Sequence, residues 1–329
     1  MKIVILGAGA LGSLFGAHLA RAGEDVTLIA REARAKAIHE HGVTVTGLAN
    51  LTVPVHVTAR PQELQQADAL LVTVKTYDME TALESVAHLK VGSVLSVQNG
   101  LVKNEQLARR FGWENTLGAA AHISAELLPT GVVRFTANEW FSIGELSEGT
   151  SARVEALVAA LVQGGIRAEA SGQIASVEWT KYVVNISWMA LSALSRMETY
   201  RIFKHPELAW MAAKLTREVA QLPVKLGIPL LDKGAFSAKT LSEVAFEEAV
   251  ANFRQVGERM EAQGATAHKV SILQDLERGR RLEFEEMFGY AVRKGAELGV
   301  SLPTVEVCYR LIKGVAESVR WHVTGSPHI

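Results

Sequence analysis

The sequence predicts an α/β chain in which a sheet-forming first half is followed by an all-helical second half. Three observations predict it: a glycine-rich turn directly after an apolar strand, strand and helix patterns that alternate as far as Ser171, and only long helical patterns beyond it. Such alternation gives a doubly wound parallel sheet, because parallel strands need helical crossovers and these cover both faces.

Residues Met1 to Gly16 read MKIVILGAGALGSLFG. Lys2 to Leu6 fit a buried parallel strand. Gly7 allows the tight turn out of it, Gly9 lets the backbone approach a pyrophosphate with no side chain between, and Gly12 lets the next helix pack closely on the strand. The backbone N–H groups of Ala10, Leu11, Gly12 and Ser13 would carry the partial positive charge of a helix N-terminus, which attracts phosphates. A helix follows, with Leu11, Leu14, Phe15, His18 and Leu19 at helical spacing, then Gly23 and a second strand from Asp25 to Ala30. Strand before and helix after make this a dinucleotide-binding, Rossmann-type start.

The end of the second strand bears on the cofactor. An acidic residue there would bind the ribose 2′-hydroxyl of NAD, whereas an arginine suits a 2′-phosphate. Arg31 stands there, with Arg34 and Lys36 close behind. It points to NADP(H) through charge-assisted contacts; the alternative is a solvated basic helix start partly offset by Glu32.

HGVTVTG and LTVPVHVT read as a pair of strands around Gly47, followed by a helix from Pro61 to Gln66 and the buried strand ADALLVTV. Met79 to His88 reads as helix, VGSVLSVQ as strand and Asn104 to Arg110 as helix. Leu117 to Ser124, Val132 to Thr136 and Trp140 to Gly144 read as strands, Ser151 to Gln163 as helix and Ile166 to Glu169 as a last short strand. Beyond Ser171, helices are expected over Val177 to Leu194, Pro206 to Leu226, Ala238 to Ala262, Glu283 to Leu298 and Thr304 to Glu317. The boundary near Ser171 and Gly172 divides the chain into residues 1–171 and 172–329, and a substrate could meet a nicotinamide in a cleft between such domains. The final WHVTGSPHI is expected to be a loose tail.

At 329 residues the chain can bury two cores, and a formal net charge of -1 gives no electrostatic case for nucleic acid or an anionic membrane as partner. Apolar runs are broken well short of the ~20 residues a membrane span needs. Met1 lies next to the first strand, so no signal peptide is expected. Cys308 is the single cysteine, and no Cys/His cluster has zinc-ligand spacing. The expectation is a cytoplasmic, metal-free protein.

Three further segments could carry chemistry. Lys75 follows the strand VTV, and ligands in open α/β sheets bind at the carboxyl ends of strands; it could serve cofactor or substrate, or be a solvated loop residue. Gln98, Asn99 and Gly100 end the strand VGSVLSV, where amide side chains could bond a carboxamide or a substrate oxygen, or simply form an Asn-Gly turn. In WTKYVVNISWMALSAL, Lys181 and Asn185 lie four apart on one helix face. A lysine there either snorkels to solvent or sits in a cleft where desolvation makes it a usable general acid. Ser271 and Glu283 fall in HKVSILQDLERGRRLEFEE, a polar stretch that reads as a loop between helices.

Together, GAGALG, VKTYD, QNG, EWTKYVVN, SILQDLERGRRLEFE and GYAVRKGAELGVSLPT resemble, in order and spacing, the ketopantoate reductase family over nearly the whole chain. The resemblance implies a helical second domain like the C-terminal domain of 6-phosphogluconate dehydrogenase. It also implies NADPH-dependent reduction of 2-dehydropantoate to pantoate in pantothenate biosynthesis, and often a homodimer. By the same resemblance, Lys181 protonates the developing alkoxide, Glu283 binds the substrate's terminal hydroxyl and helps hold the lysine, and Ser271 binds the substrate carboxylate. Asn99 and Asn185 would border nicotinamide and substrate, Lys75 the cofactor phosphate and the cleft, and Arg31 the 2′-phosphate. Two positions depart from the family pattern: Met189 stands where a second asparagine is common, and Phe288 where an asparagine often precedes the glycine. They motivate one alternative, a reductase of another, more apolar 2-oxo acid; a second alternative, an NADP(H)-binding protein that has lost catalysis, is weakened by the presence of Lys181, Ser271 and Glu283 together.

Overall fold

Alternation along the first strand decides where the chain builds its two layers. In β1 (Lys2–Leu6), Ile3 and Ile5 face one apolar cluster while Val4 and Leu6 face another, as the period of two requires. The computed structural model describes residues 1–234 and 236–324, with side chains described up to residue 318. The first unit, Met1–Ala175, continues through α1 (Ala10–Arg21), β2 (Asp25–Ile29), α2 (Glu32–His41), β3 (Val43–Gly47), β4 (Leu51–Val53), β5 (His56–Thr58) and β6 (Gln66–Val72). Next come α3 (Met79–Ser85), β7 (Lys90–Ser96), α4 (Val102–Phe111), β8 (Leu117–Leu127), β9 (Val133–Glu145), α5 (Ala152–Gln163) and β10 (Ala168–Ala170).

Five strands form a parallel sheet in the order β5-β2-β1-β6-β7. Leu14, Phe15 and Leu19 of α1 pack with Ile3 and Ile5 on one face; Met79 and Leu83 of α3 and Leu107 of α4 pack with Val4 and Leu6 on the other. Helices on both faces make the doubly wound sheet, and the chain order reverses between β1 and β6, where such sheets open a crevice. A second sheet runs β10-β9-β3-β4, with β8 antiparallel along β9.

An arginine knits the second sheet to the first. Arg153 donates from Nε and Nη2 to Glu145 at 2.8 and 2.7 Å, and also to the carbonyls of Gly92 at 3.0 Å and Glu114 at 2.7 Å. The guanidinium holds the Glu145 carboxyl below the ordinary carboxylate value of 4.5. A depressed folded value stabilises the fold above the unfolded one, and that contribution is lost as pH falls through the folded value. Arg153→Ala is therefore expected to cost about 1–3 kcal/mol near neutral pH. Urea midpoints of the two proteins should converge as pH drops below the ordinary carboxylate range.

The second unit, from Ser176 onward, is helical: α6 (Ile174–Ser195) enters it, followed by α7 (Thr199–Lys204), α8 (Pro206–Lys225), α9 (Ala238–Glu243) and α10 (Phe246–Ala262). Then come α11 (Ser271–Glu277), a π-helical turn over Glu285–Gly289, α12 (Tyr290–Leu298) and α13 (Pro303–Thr324). Among the described residues no helix is long and apolar enough to cross a membrane.

Several expected elements differ. The helix from Pro61 to Gln66 is only a 3-10 turn over Pro61–Glu63, because Gln66 already pairs with Lys90 as the start of β6. The two strands expected over Val132 to Thr136 and Trp140 to Gly144 are one strand, β9, which pairs along an unbroken β8 and accommodates Thr136 and Glu139 as extra residues at two register shifts. The helix over Ala238 to Ala262 breaks at Val244 and Ala245, where Arg217 bonds the carbonyls of Leu241 and Val244 and so takes acceptors a continuing helix would use. Ser271 opens a helix instead of lying in a loop, because Ile272, Leu273 and Leu276 bury one face. The helix expected from Glu283 begins as the π turn. Trp321 to Thr324 of the expected tail belong to α13, and residues 325–329 lie outside the described residues.

Candidate active site

Register across the parallel sheet gathers the residues chosen in the first unit. Ile29, Leu6, Val72 and Ser96 stand side by side at the carboxyl ends of β2, β1, β6 and β7. Just past these ends come Arg31, Gly7, Lys75 and Gln98, so all four lie along one edge of the sheet.

The glycine turn is held from both sides. Gly7 donates to the Ile29 carbonyl at 3.1 Å, and the Thr73 hydroxyl donates to the Gly7 carbonyl at 2.7 Å. Gly7 sits at φ +109°, and a Cβ on it would meet Val74 Cγ1 at 2.8 Å, so only glycine fits without strain. At Gly12 a Cβ would lie 1.9 Å from the Gly7 carbonyl oxygen and 2.5 Å from Thr73 Oγ1. Gly9 is the opposite case: a Cβ there would meet nothing within 4 Å, and it caps α1 without a side-chain bond. The first turn of α1 holds no acidic residue. Its opening N–H groups thus begin a helix whose end carries partial positive charge and an unfilled approach over Gly9, which fits a pyrophosphate.

These two glycines make a contrasting pair of variants. Gly12→Ala overpacks backbone against backbone, which costs roughly 1–3 kcal/mol, and is expected to lower the urea midpoint. Gly9→Ala should leave that midpoint unchanged yet weaken dinucleotide binding, read by fluorescence titration. A Gly9→Ala protein that binds as tightly as the parent would place the phosphates elsewhere.

The three basic residues after β2 have different surroundings. Arg34 is half-buried and donates to Gly131 O at 3.0 Å, Ser13 Oγ at 3.1 Å and Ala8 O at 3.4 Å, with burial lowering its pKa. Lys36 is exposed beside Glu40. Arg31 is 94% exposed, with Asp78 Oδ2 at 3.8 Å, a separation that holds an exposed pair only weakly. Arg31 can turn to a ligand; Arg34 is committed to the shape of the turn.

Gln98 is buried, and its Nε2 donates to the Val74 carbonyl at 2.7 Å, bracing the ends of β6 and β7. Its Oε1 is buried without a partner among the described residues. Asn99 and Lys75 are half-buried on the same edge, and Gly100 turns the chain at φ +88°.

In the second unit, Lys181 and Asn185 are half-buried one turn apart on α6. Tyr182 donates to the Met287 carbonyl at 2.5 Å and packs edge-on against Tyr290, and burial raises its pKa well above 10.0. That bond seats the π turn against the helix one residue from Lys181. Glu283, buried, stands just before the turn. Trp188, on the Lys181 face, meets the His268 ring at 6.3 Å, three residues before Ser271. The segments bearing Glu283 and Ser271 therefore both abut α6. Met189 is 3% and Phe288 0% exposed.

Three residues of this arrangement carry no signal of their own in the sequence, Thr73, Tyr182 and Trp188, and Arg34 reads there only as part of a basic run. Thr73 sits inside the VTVK segment and Tyr182 beside Lys181, so each was quoted, but a bond to a distant carbonyl has no local signature. No group of three or more His, Cys, Asp or Glu among the described residues could hold a metal.

The family model described as ketopantoate reductase PanE/ApbA matches residues 3–148, and the one for its C-terminal part matches residues 173–316. The chain is 32% identical over 314 residues to a 2-dehydropantoate 2-reductase of Archaeoglobus fulgidus, covering 95% of this chain and 97% of that one. The structure is similar to that of a PanE/ApbA family ketopantoate reductase from Ralstonia eutropha JMP134, at a TM-score of 0.81 and 26% identity over 97% of this chain and 100% of that one. A D-mandelate dehydrogenase determined with NADH and anilino(oxo)acetate shares the fold at a TM-score of 0.82 and 23% identity, with 97% and 100% covered.

Proposed function

The chain belongs to the ketopantoate reductase family, and from that premise we propose that it reduces 2-dehydropantoate to pantoate with NADPH. The observation that carries the reading is similarity along both halves of the chain to a 2-dehydropantoate 2-reductase. In this reading, residues 1–171 form the NADP-binding domain and 172–329 the helical substrate and dimerisation domain.

The uncapped start of α1, over Gly9, Ala10, Leu11 and Gly12, would hold the pyrophosphate, and Arg31 the 2′-phosphate. Lys75, Gln98 and Asn99 would line the same edge, where the buried Gln98 Oε1 can accept a bond from a carboxamide. The bound nicotinamide supplies a hydride to the ketone carbon. The oxygen then gains negative charge, and the Lys181 ammonium stabilises that charge and gives up its proton to it. Asn185, one turn along, orients the oxygen; Glu283 binds the terminal hydroxyl and Ser271 the carboxylate.

A second reading keeps this chemistry and changes the substrate to a more apolar 2-oxo acid. Met189 and Phe288 favour it, because neither can bond a polar substrate group where the family often has an amide. A site without a hydrogen-bonding partner can lose several orders of magnitude in preference for a polar substrate. NADPH oxidation with 2-dehydropantoate, run beside NADH and a panel of branched 2-oxo acids, decides between the two. Turnover of 2-dehydropantoate no better than of a simple branched acid would move the assignment to the second reading. The proposal extends to a cytoplasmic homodimer, supported by Val307 and Leu311, one turn apart on α13 and 58% and 54% exposed; light scattering measures the mass.

A further inference from the structure

Arg31, the residue proposed for the 2′-phosphate, does not stand alone at the edge of the parallel sheet. Its Nη2 lies 3.8 Å from Asp78 Oδ2, with the two side chains 94% and 46% exposed. Asp78 has no role in the site described so far.

The topology gives this pair its meaning. Arg31 follows β2 and Asp78 follows β6, in the 3-10 turn over Thr76–Asp78, while β1 and its glycine turn lie between the two strands. Neighbouring strands are about 4.8 Å apart, so the ends of β2 and β6 stand roughly 10 Å apart. The two side chains therefore reach toward each other from opposite flanks of the glycine turn, over the ground a dinucleotide must cover.

Asp78 is not committed elsewhere. It precedes α3, where an aspartate ordinarily caps the helix, yet its side chain makes no capping bond. Met79, next to it, is fully buried, which ties the backbone under Asp78 to the core and keeps the carboxylate in place. Glu80, by contrast, is turned to Arg109 at 3.3 Å and Gln106 at 3.1 Å.

What the carboxylate does follows from charge. A 2′-phosphate carries about two negative charges at neutral pH, and on Arg31 it comes close to Asp78. Bound NADPH thus brings like charges together and draws away the guanidinium that offsets the carboxylate. NADH has a hydroxyl at that position, and a hydroxyl donates to a carboxylate, as it does to the acidic residue of NAD-binding sheets.

We infer that Asp78 is a specificity-determining residue for the cofactor: its carboxylate weakens the hold on NADPH and accepts the 2′-hydroxyl of NADH, narrowing the discrimination between them. The inference rests on the 2′-phosphate role proposed for Arg31 and not on the identity of the 2-oxo acid.

The test is titration of the full-length protein with NADPH and with NADH, without 2-oxo acid, followed by the fluorescence of the reduced nicotinamide. Asp78→Asn should tighten NADPH by about three- to tenfold, the effect of removing a charge beside a dianion near water, and should weaken NADH. The gain for NADPH should shrink as salt rises from about 0.05 to about 0.5 M, which a mere change of shape would not do. Glu80→Gln, which removes the same charge two residues away, should leave the ratio of the two dissociation constants unchanged. An unchanged ratio in Asp78→Asn, or an equal change in Glu80→Gln, overturns the inference. The failures are distinguishable: Arg31→Ala with unaltered NADPH binding overturns the role of Arg31, whereas loss of NADPH binding in Arg31→Ala beside an unmoved ratio in Asp78→Asn overturns Asp78 alone.

Discussion

Lys181→Ala is expected to lower kcat by about 100- to 10,000-fold, the range a general acid supplies, while KM for the 2-oxo acid changes far less. The lysine is half-buried on α6, and its neighbours Tyr182, Val183 and Val184 are buried. The helix is anchored without it, through Tyr182 to Met287, so the variant should fold with an unchanged urea midpoint. A primary isotope effect from deuterated NADPH separates causes: loss of the proton donor makes the chemical step limiting and the effect large. A Lys181→Ala enzyme retaining most of its turnover would remove the lysine from the mechanism.

Arg31→Ala is expected to raise the KM for NADPH by about 10- to 100-fold, since charge-assisted hydrogen bonds contribute about 1.5–3 kcal/mol, and to leave the KM for NADH where it was. The split between the cofactors is the informative quantity. A general disturbance of the turn would weaken both equally, as expected for Arg34→Ala, whose guanidinium braces Ala8, Ser13 and Gly131. If Arg31→Ala left NADPH kinetics untouched, the 2′-phosphate would be held by another residue.

The glycine turn, the strands of the parallel sheet and the succession of helices were legible because each leaves a local period or a local steric need. Ile3 and Ile5 against Val4 and Leu6 follow from strand alternation, and Gly7 and Gly12 from contacts no other side chain permits. What was not legible depends on distant partners. Gln66 becomes strand because Lys90 lies beside it, and a helix stops at Glu243 because Arg217 reaches across from α8. The helix at Ser271 was hidden for another reason: it is only seven residues long and runs into the charged segment after Glu277, while Ile272, Leu273 and Leu276 are buried. In the candidate site, the residue types could be chosen from sequence and resemblance. The bonds that seat them, such as Thr73 on Gly7 and Tyr182 on Met287, join residues 66 and 105 positions apart.

The different fates of Arg31 and Arg34 bear on how such an enzyme changes over generations. Shape at the turn resides in Arg34, and with the 2′-phosphate role proposed for Arg31, mutation at position 31 would explore new cofactor preferences while the scaffold is inherited intact. A lineage could pass between nicotinamide pools by single steps there, each intermediate still folded and open to selection.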